Sequence, residues 1–212
     1  ECRRAGLPPY DVREHTGFLR YLTVREGKFT GEVMVNIVTG DGGARETEWS
    51  EVLKTIAEKI RGAHPEIRSF LRNINASRAT VAFGQRDQVL SGGSSIRETL
   101  MERTFEITAN SFFQTNSRQA VRLYGAALEM AELTREDSVL DLYSGTGAIS
   151  ILAAARAAEV RGVESLAESV RNAERNAALN EIRNAFFICG DVKKVLGAMA
   201  GDRKPPTVVI VN

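Results

Sequence analysis

The sequence predicts a two-part α/β chain: a smaller α+β domain over residues 1–105, then, over 106–212, a parallel sheet covered on both faces by helices. Three observations carry this reading. Apolar and polar side chains alternate around short turns before residue 105, and from about residue 117 short, continuously apolar runs alternate with helical stripes. The polar residues near the ends of those runs recur about once per strand–helix unit. At 212 residues, 43% hydrophobic and 26% charged, the chain can bury a sizeable core in one large or two small domains.

In the first part, "GFLRYLTVREG" and "TGEVMVNIVTG" flank the turn-forming "EGKFTG" and read as an antiparallel hairpin. "EWSEVLKTIAEKIRGAH" sets Trp49, Val52, Leu53, Ile56 and Ile60 on one helical stripe, which Gly62 and Pro65 close. "IRSFLRNINAS" and "ATVAFG" resume strand patterning, and "LSGGSSIRE" reads as the most flexible loop. No internal repeat interrupts this order.

In the second part, "SRQAVRLYGAALEMAEL" is an amphipathic helix with Ser117 at its N-cap. "SVLDLY", "EVRGV", "AFFIC" and "TVVIV" follow as four apolar strands with helices between them, the pattern of parallel strands buried on both faces. Asp141, Glu164, Asp191 and Asn212 fall at or near their carboxyl ends, 23, 27 and 21 positions apart. Ligands of open parallel sheets sit outside those ends. That rim therefore carries three carboxylates and an amide beside Gly145-Thr-Gly147, a turn that lets backbone approach a ligand.

So acidic a rim suits ribose hydroxyls, an adenine amine and a cationic centre better than a pyrophosphate. Gly145-x-Gly147-x-x-Ser150 also departs at its third position from the dinucleotide fingerprint, where glycine or alanine permits close helix packing. Glu164 serves ribose recognition in either case. The expected cofactor is S-adenosylmethionine, with a dinucleotide as the alternative. Bland roles remain open: Asp141 and Asp191 as caps of the helices that follow them, Gln114 and Asn116 as turn formers, Tyr143 as packing.

"FFQTNSRQAVRLY", "VLDLYSGTGAIS", "VRGVE", "NAALNEIRNAFFICGD" and "VVIVN" resemble, in that order, the S-adenosylmethionine-dependent RNA uracil-5-methyltransferases. "GLPPYDVREHTGFLRYLTVREGKFTGEVMVNIVT" resembles the central domain of the same family. The resemblance implies a partial class I (Rossmann-like) methyltransferase sheet, truncated after its fourth strand and preceded by the smaller α+β domain. It also places donor-binding residues at Gln114, Tyr143, Ala148, Glu164, Asp191 and Asn212, beside Asp141, Gly145 and Gly147 of the first strand and its turn. Glu164 would take the ribose hydroxyls, Asp191 lie by the adenine and Gln114 reach over the methionine end. Family members often have asparagine at the position of Ala148 and aspartate at that of Asn212.

Carbon 5 of uracil is a poor nucleophile, so such enzymes add a thiolate to carbon 6 and later remove the carbon-5 proton with a base. Neither group has an obvious candidate here. Cys2 lies on a terminus expected to fray, and Cys189, late in the third strand, reads better as a small buried hydrophobe. The resemblance places both groups beyond Asn212, so the chain is expected to be an interior fragment without its catalytic thiol. It also places a 4Fe–4S cluster, held by many members, in a longer protein ahead of residue 1.

The expected partner is ribosomal or transfer RNA, not DNA or a membrane, in the cytoplasm. Two widely separated cysteines suggest no disulfide framework, and a net charge of +1 excludes a strongly basic wrapper while allowing a local groove. Arg68, Arg72, Arg78 and Arg86 form such a track or else a solvated face. His15 and His64 lack metal-ligand spacing, and no metal is expected in this chain. Two rival readings stay open: another methyltransferase acting on protein or a small molecule, and a non-catalytic RNA-binding module.

Overall fold

A computed structural model describes residues 1–199, 201 and 205–211. The chain divides into two compact units: Glu1–Ile96 with Thr108–Asn110, and Arg97–Ile107 with the described residues from Ser111 onward.

The first unit is a four-stranded sheet in the order β1-β2-β3-β4, formed by Leu19–Glu26, Val33–Thr39, Ile67–Ile74 and Arg86–Gly92. The expected hairpin is β1 against β2. Between β2 and β3 the helix α1, Glu46–Ala63, makes the crossover that their parallel pairing requires. Its stripe buries Leu53, Ile56 and Ala57, and Trp49, Val52 and Ile60 pack partly buried against the same core of Val35, Ile37, Ile67, Phe70 and Leu90. Gly62 lies inside the helix rather than closing it; the chain leaves at His64, ahead of Pro65.

Three local expectations give way. "ATVAFG" is not a strand: residues 79–84 form a loop whose carbonyls at Val81 and Phe83 accept the Asn75 side-chain amide. "LSGGSSIRE" is ordered as the end of β4, a turn at Gly93 and Ser94, and the start of β5, Ser95–Leu100. Its alternating Leu90, Ile96 and Glu98 are all buried, so it carries a strand pattern that the glycines and serines obscure. Cys2 is held rather than frayed, packing beside Leu7 against the first core, with Glu1 paired to Lys59 at 2.7 Å.

The second unit holds a parallel sheet in the order β10-β7-β8-β9, from Val208–Val211, Ser138–Leu142, Glu159–Glu164 and Ala185–Cys189. Helices α2 (Ser117–Met130), α3 (Ala148–Ala154) and α4 (Ala167–Leu179) contribute to one core with Val139 and Val160. On the other face α5, Val192–Met199, covers Leu140, Leu142 and Val163. The cap of α2 is Asn116, whose Oδ1 accepts the Gln119 N–H at 3.1 Å; Ser117 sits one position inside and donates to the buried Glu98 at 2.5 Å.

The hairpin of β5 with β6, Arg103–Thr108, is held to this unit by Asn176 and Asn180, two members of a row of asparagines. At spacing i, i+4, i+8, Asn172, Asn176 and Asn180 share one side of α4 and its end. Asn176 accepts the Glu106 N–H at 2.7 Å, and Asn180 both accepts from Thr104 N–H and donates to Thr104 C=O. The side chains thereby satisfy strand-edge groups that no further strand covers among the described residues.

Candidate functional site

The chain leaves β7 through Tyr143, Ser144, Gly145, Thr146 and Gly147 before entering α3. Three of these five take a left-handed backbone, with φ of 63° at Tyr143, 54° at Gly145 and 82° at Gly147. Gly147 is required twice over, because a Cβ there would also stand 2.9 Å from the Phe187 ring and 3.0 Å from Ala173. Tyr143 accepts the same conformation at a steric cost of about 1–2 kcal/mol and is itself 54% exposed.

Glu164 ends β8 and ties this turn down. Its Oε2 accepts the Gly145 N–H at 3.1 Å, while Oε1 accepts the Leu166 N–H at 2.9 Å and the Ser165 hydroxyl at 3.1 Å. Beside it opens a cavity of about 380 Å³, bounded by the glycine turn, the start of α4 and the irregular segment 112–114.

Gln114, Tyr143, Gly145, Ala148 and Glu164 all line the cavity. Gly147 does not line it; it packs against β9 and α4 as described. Asp191 is exposed, outside the lining, where its Oδ1 accepts the Lys194 N–H at 3.0 Å and caps α5. Asn212 lies outside the described residues. Asp141 is not on the rim: alternation along β7 puts it on the same face as Val139, so its side chain is buried beneath α3.

There Asp141 Oδ2 accepts the Ser150 hydroxyl at 2.5 Å, while Oδ1 has no hydrogen-bond partner among the described residues. Burial pushes its carboxyl up to about 6, against the opposing pull of the Ser150 hydroxyl and backbone N–H. Ser150, itself fully buried, thus explains the departure from the dinucleotide fingerprint: a glycine or alanine there would leave Asp141 without its hydroxyl donor.

Sequence reasoning missed Phe112, Phe113, Tyr124, Ser144, Thr146, Leu166 and Ser169, which complete the lining. Most flank residues that were identified, and chain adjacency was the available signal. Tyr124 had none, because its place in an apolar helical stripe marks it only as core. On the other side of Gln114 a groove of about 420 Å³ runs along the start of α2, lined by Thr115, Asn116, Gln119, Arg122 and Leu123.

Neither thiol lines the cavity. Contrary to the expectation of a buried hydrophobe, Cys189 is exposed at the end of β9, with its Sγ 3.8 Å from the Ser165 carbonyl. Among the described residues no group of three or more His, Cys, Asp or Glu side chains is placed to hold a metal ion, and no helix is long and apolar enough to cross a membrane.

The arginine track also divides. Arg68, Arg78 and Arg86 are exposed, Arg68 at a point where the β2–β3 register skips it. Arg72 is fully buried in the first unit and leaves the candidate RNA surface altogether. It pairs with both Glu46 carboxylate oxygens at 2.7 and 2.8 Å, donates to Thr39 Oγ1 and the Gly40 carbonyl, and lies 4.9 Å over the Phe18 ring.

The family model for tRNA (uracil-5-)-methyltransferase matches residues 45–206. An uncharacterized RNA methyltransferase of Halalkalibacterium halodurans is 40% identical over 195 residues, which cover 92% of this chain and 41% of the relative. One from Streptococcus mutans is 35% identical over 210 residues, covering 99% of this chain and 45% of the relative. Among solved structures, the Pyrococcus abyssi tRNA (uracil-54, C5)-methyltransferase in complex with S-adenosyl-L-homocysteine superposes with a TM-score of 0.74 at 32% identity, over 99% of this chain and 47% of that one. The chain therefore spans less than half the length of each of these relatives.

Proposed function

The chain belongs to the tRNA (uracil-5-)-methyltransferase family, and from that membership we propose that it forms the donor-binding part of an enzyme that methylates carbon 5 of a uridine in RNA. The observation that carries this reading is the convergence of Glu164, Gln114 and the strained Tyr143–Gly147 turn on one cavity at the tips of β7 and β8.

S-adenosylmethionine fits that cavity chemically: it supplies an electrophilic methyl group on a sulfonium and presents hydroxyls, an amine and a carboxylate. Glu164 has two oxygens with about four acceptor positions. Three are taken by Gly145, Leu166 and Ser165, which leaves one on Oε2, facing the glycine turn, for a ribose hydroxyl. Gln114 offers an amide over the opposite end. Asp141 supports the turn from beneath and makes no ligand contact, and Asp191 acts at most from the periphery.

The thiolate and base that carbon-5 chemistry demands are assigned to sequence outside this chain, because neither Cys2 nor Cys189 is among the residues that line the cavity. RNA contact within the first unit falls to Arg68 and Arg78.

Calorimetry with S-adenosylhomocysteine tests the reading. One saturable site is expected, weakened by about 1–3 kcal/mol in Glu164→Ala, the value of a hydrogen bond to a charged group. Equal affinity in the two proteins would remove Glu164 from the ribose role. The chain alone should release no tritium from [5-³H]uridine RNA, and release would overturn the assignment of the thiol elsewhere.

A further inference from the structure

Helix α4 carries a polar stripe on a side that faces inward. Ser169, Asn172 and Asn176, at spacing i, i+3, i+7, are all buried, on a face where an amphipathic helix ordinarily places apolar groups. A buried amide is costly unless its hydrogen bonds are made. Here they are made, and they reach the walls of the cavity.

Asn176 Nδ2 donates to the Thr146 carbonyl, inside the glycine turn, at 3.1 Å, while its Oδ1 accepts the Glu106 N–H. One turn earlier, Asn172 Nδ2 donates to Ser111 Oγ at 2.9 Å. Ser111 is itself buried, and the irregular segment 112–114 sets out from it. Thr146 Oγ1 lies 3.5 Å from the Phe112 carbonyl, so the two anchored stretches also meet each other. The cavity thus has three walls and α4 reaches each: Ser169 lines it directly, Asn176 holds the turn, and Asn172 holds the root of the segment.

The two held walls lack regular structure of their own. The turn passes through three left-handed residues, and residues 111–114 form neither helix nor strand. No helix or sheet ladder therefore fixes either one, whereas α4 is a continuous helix over Ala167–Leu179.

We propose that Asn172 and Asn176 are positioning residues of the donor cavity, which set the spacing of its two irregular walls from one rigid helix. The inference rests on the donor-site reading. A ligand that spans the cavity from Glu164 to Gln114 meets groups on both walls, and a wall displaced by about 1 Å loses those contacts although no ligand atom touches an asparagine.

Asn180 supplies the control for the test. It ties the same hairpin, and its side-chain bonds go to Thr104 and the Asn176 carbonyl, neither of which lines the cavity. Calorimetry with S-adenosylhomocysteine on the 212-residue chain is the readout, at a temperature where melts show every variant folded. Asn172→Ala and Asn176→Ala should each bind about five- to tenfold more weakly than wild type, and Asn180→Ala within about twofold of it. Equal loss in all three would make the row a tie of the hairpin and overturn the proposal, as would unchanged binding in either Asn172→Ala or Asn176→Ala. If the wild type shows no saturable binding, the donor reading fails and this inference with it. Should Asn172→Ala lose its cooperative melt, Ser111→Ala removes the same bond, and unchanged binding there sinks the proposal. Should Asn176→Ala do so, Asn176→Asp keeps the acceptor for the Glu106 N–H and, when ionised, loses the donor to Thr146. Its affinity relative to wild type must then rise as pH falls and protonation restores an O–H donor; a ratio independent of pH would overturn the proposal.

Discussion

Both units bury a charge, and they treat it in opposite ways. In the first, the Arg72 guanidinium is surrounded by two carboxylate oxygens, a hydroxyl, a carbonyl and an aromatic face. In the second, Asp141 has one hydroxyl on one oxygen and, among the described residues, no partner on the other. A fully satisfied buried charge locks a fold, whereas a half-satisfied one stores an electrostatic cost of the kind that clusters at functional sites. The Arg72 network is thus scaffold, and the Asp141 carboxyl is poised.

Breaking the satisfied network should have the largest effect. Arg72→Met strips Glu46 of its partner and removes the donors that reach Thr39 Oγ1 and the Gly40 carbonyl, at an expected cost of about 3–5 kcal/mol in urea unfolding. Adding Glu46→Leu should recover much of that stability. A change below about 1 kcal/mol in the single variant would make Arg72 an ornament of the core rather than its organiser.

Asp141 sharpens the other side. Its folded carboxyl is raised from 3.8 to about 6, so between those values the folded state binds the proton that the unfolded state has released. Stability from this group is therefore full below pH 3.8, falls as pH rises towards 6, and stays low above it, by on the order of 3 kcal/mol. Asp141→Asn should abolish that slope in melts across the window. Retention of the full slope in the variant would assign it to other groups.

Smaller effects test the neighbouring details. Asn116→Ala removes the α2 cap and should cost about 1 kcal/mol, whereas Ser117→Ala should act through Glu98 instead. Replacing Arg68 and Arg78 by alanine should reduce the slope of log affinity for RNA against log salt by about 0.7 for each phosphate no longer neutralised. An unchanged slope would make both residues a solvated face. Arg72 is excluded from that pair by its burial.

Much of the site was legible in the sequence because its signals are local. Gly145 and Glu164 follow apolar runs at positions where strand ends must fall, and Gln114 sits in a distinctive Phe-x-Gln-x-Asn stretch. Asp141 and Arg72 were misplaced for one shared reason. Period-2 alternation says that neighbouring side chains take opposite faces, but not which face a helix or a second layer will cover.

By itself, then, the sequence determined the β1–β2 hairpin and the α1 crossover after it, the parallel sheet with its glycine turn, the place of Glu164 at a strand end and the family to which the chain belongs. Those follow from hydrophobic period, turn chemistry and motif spacing, all of which act over a few residues. Tertiary structure alone decided which charges are buried, that Asn176 and Asn180 hold the β5–β6 hairpin, and that Ser150 meets Asp141. Each of these depends on which groups are removed from water together, and that is settled only when separate elements pack.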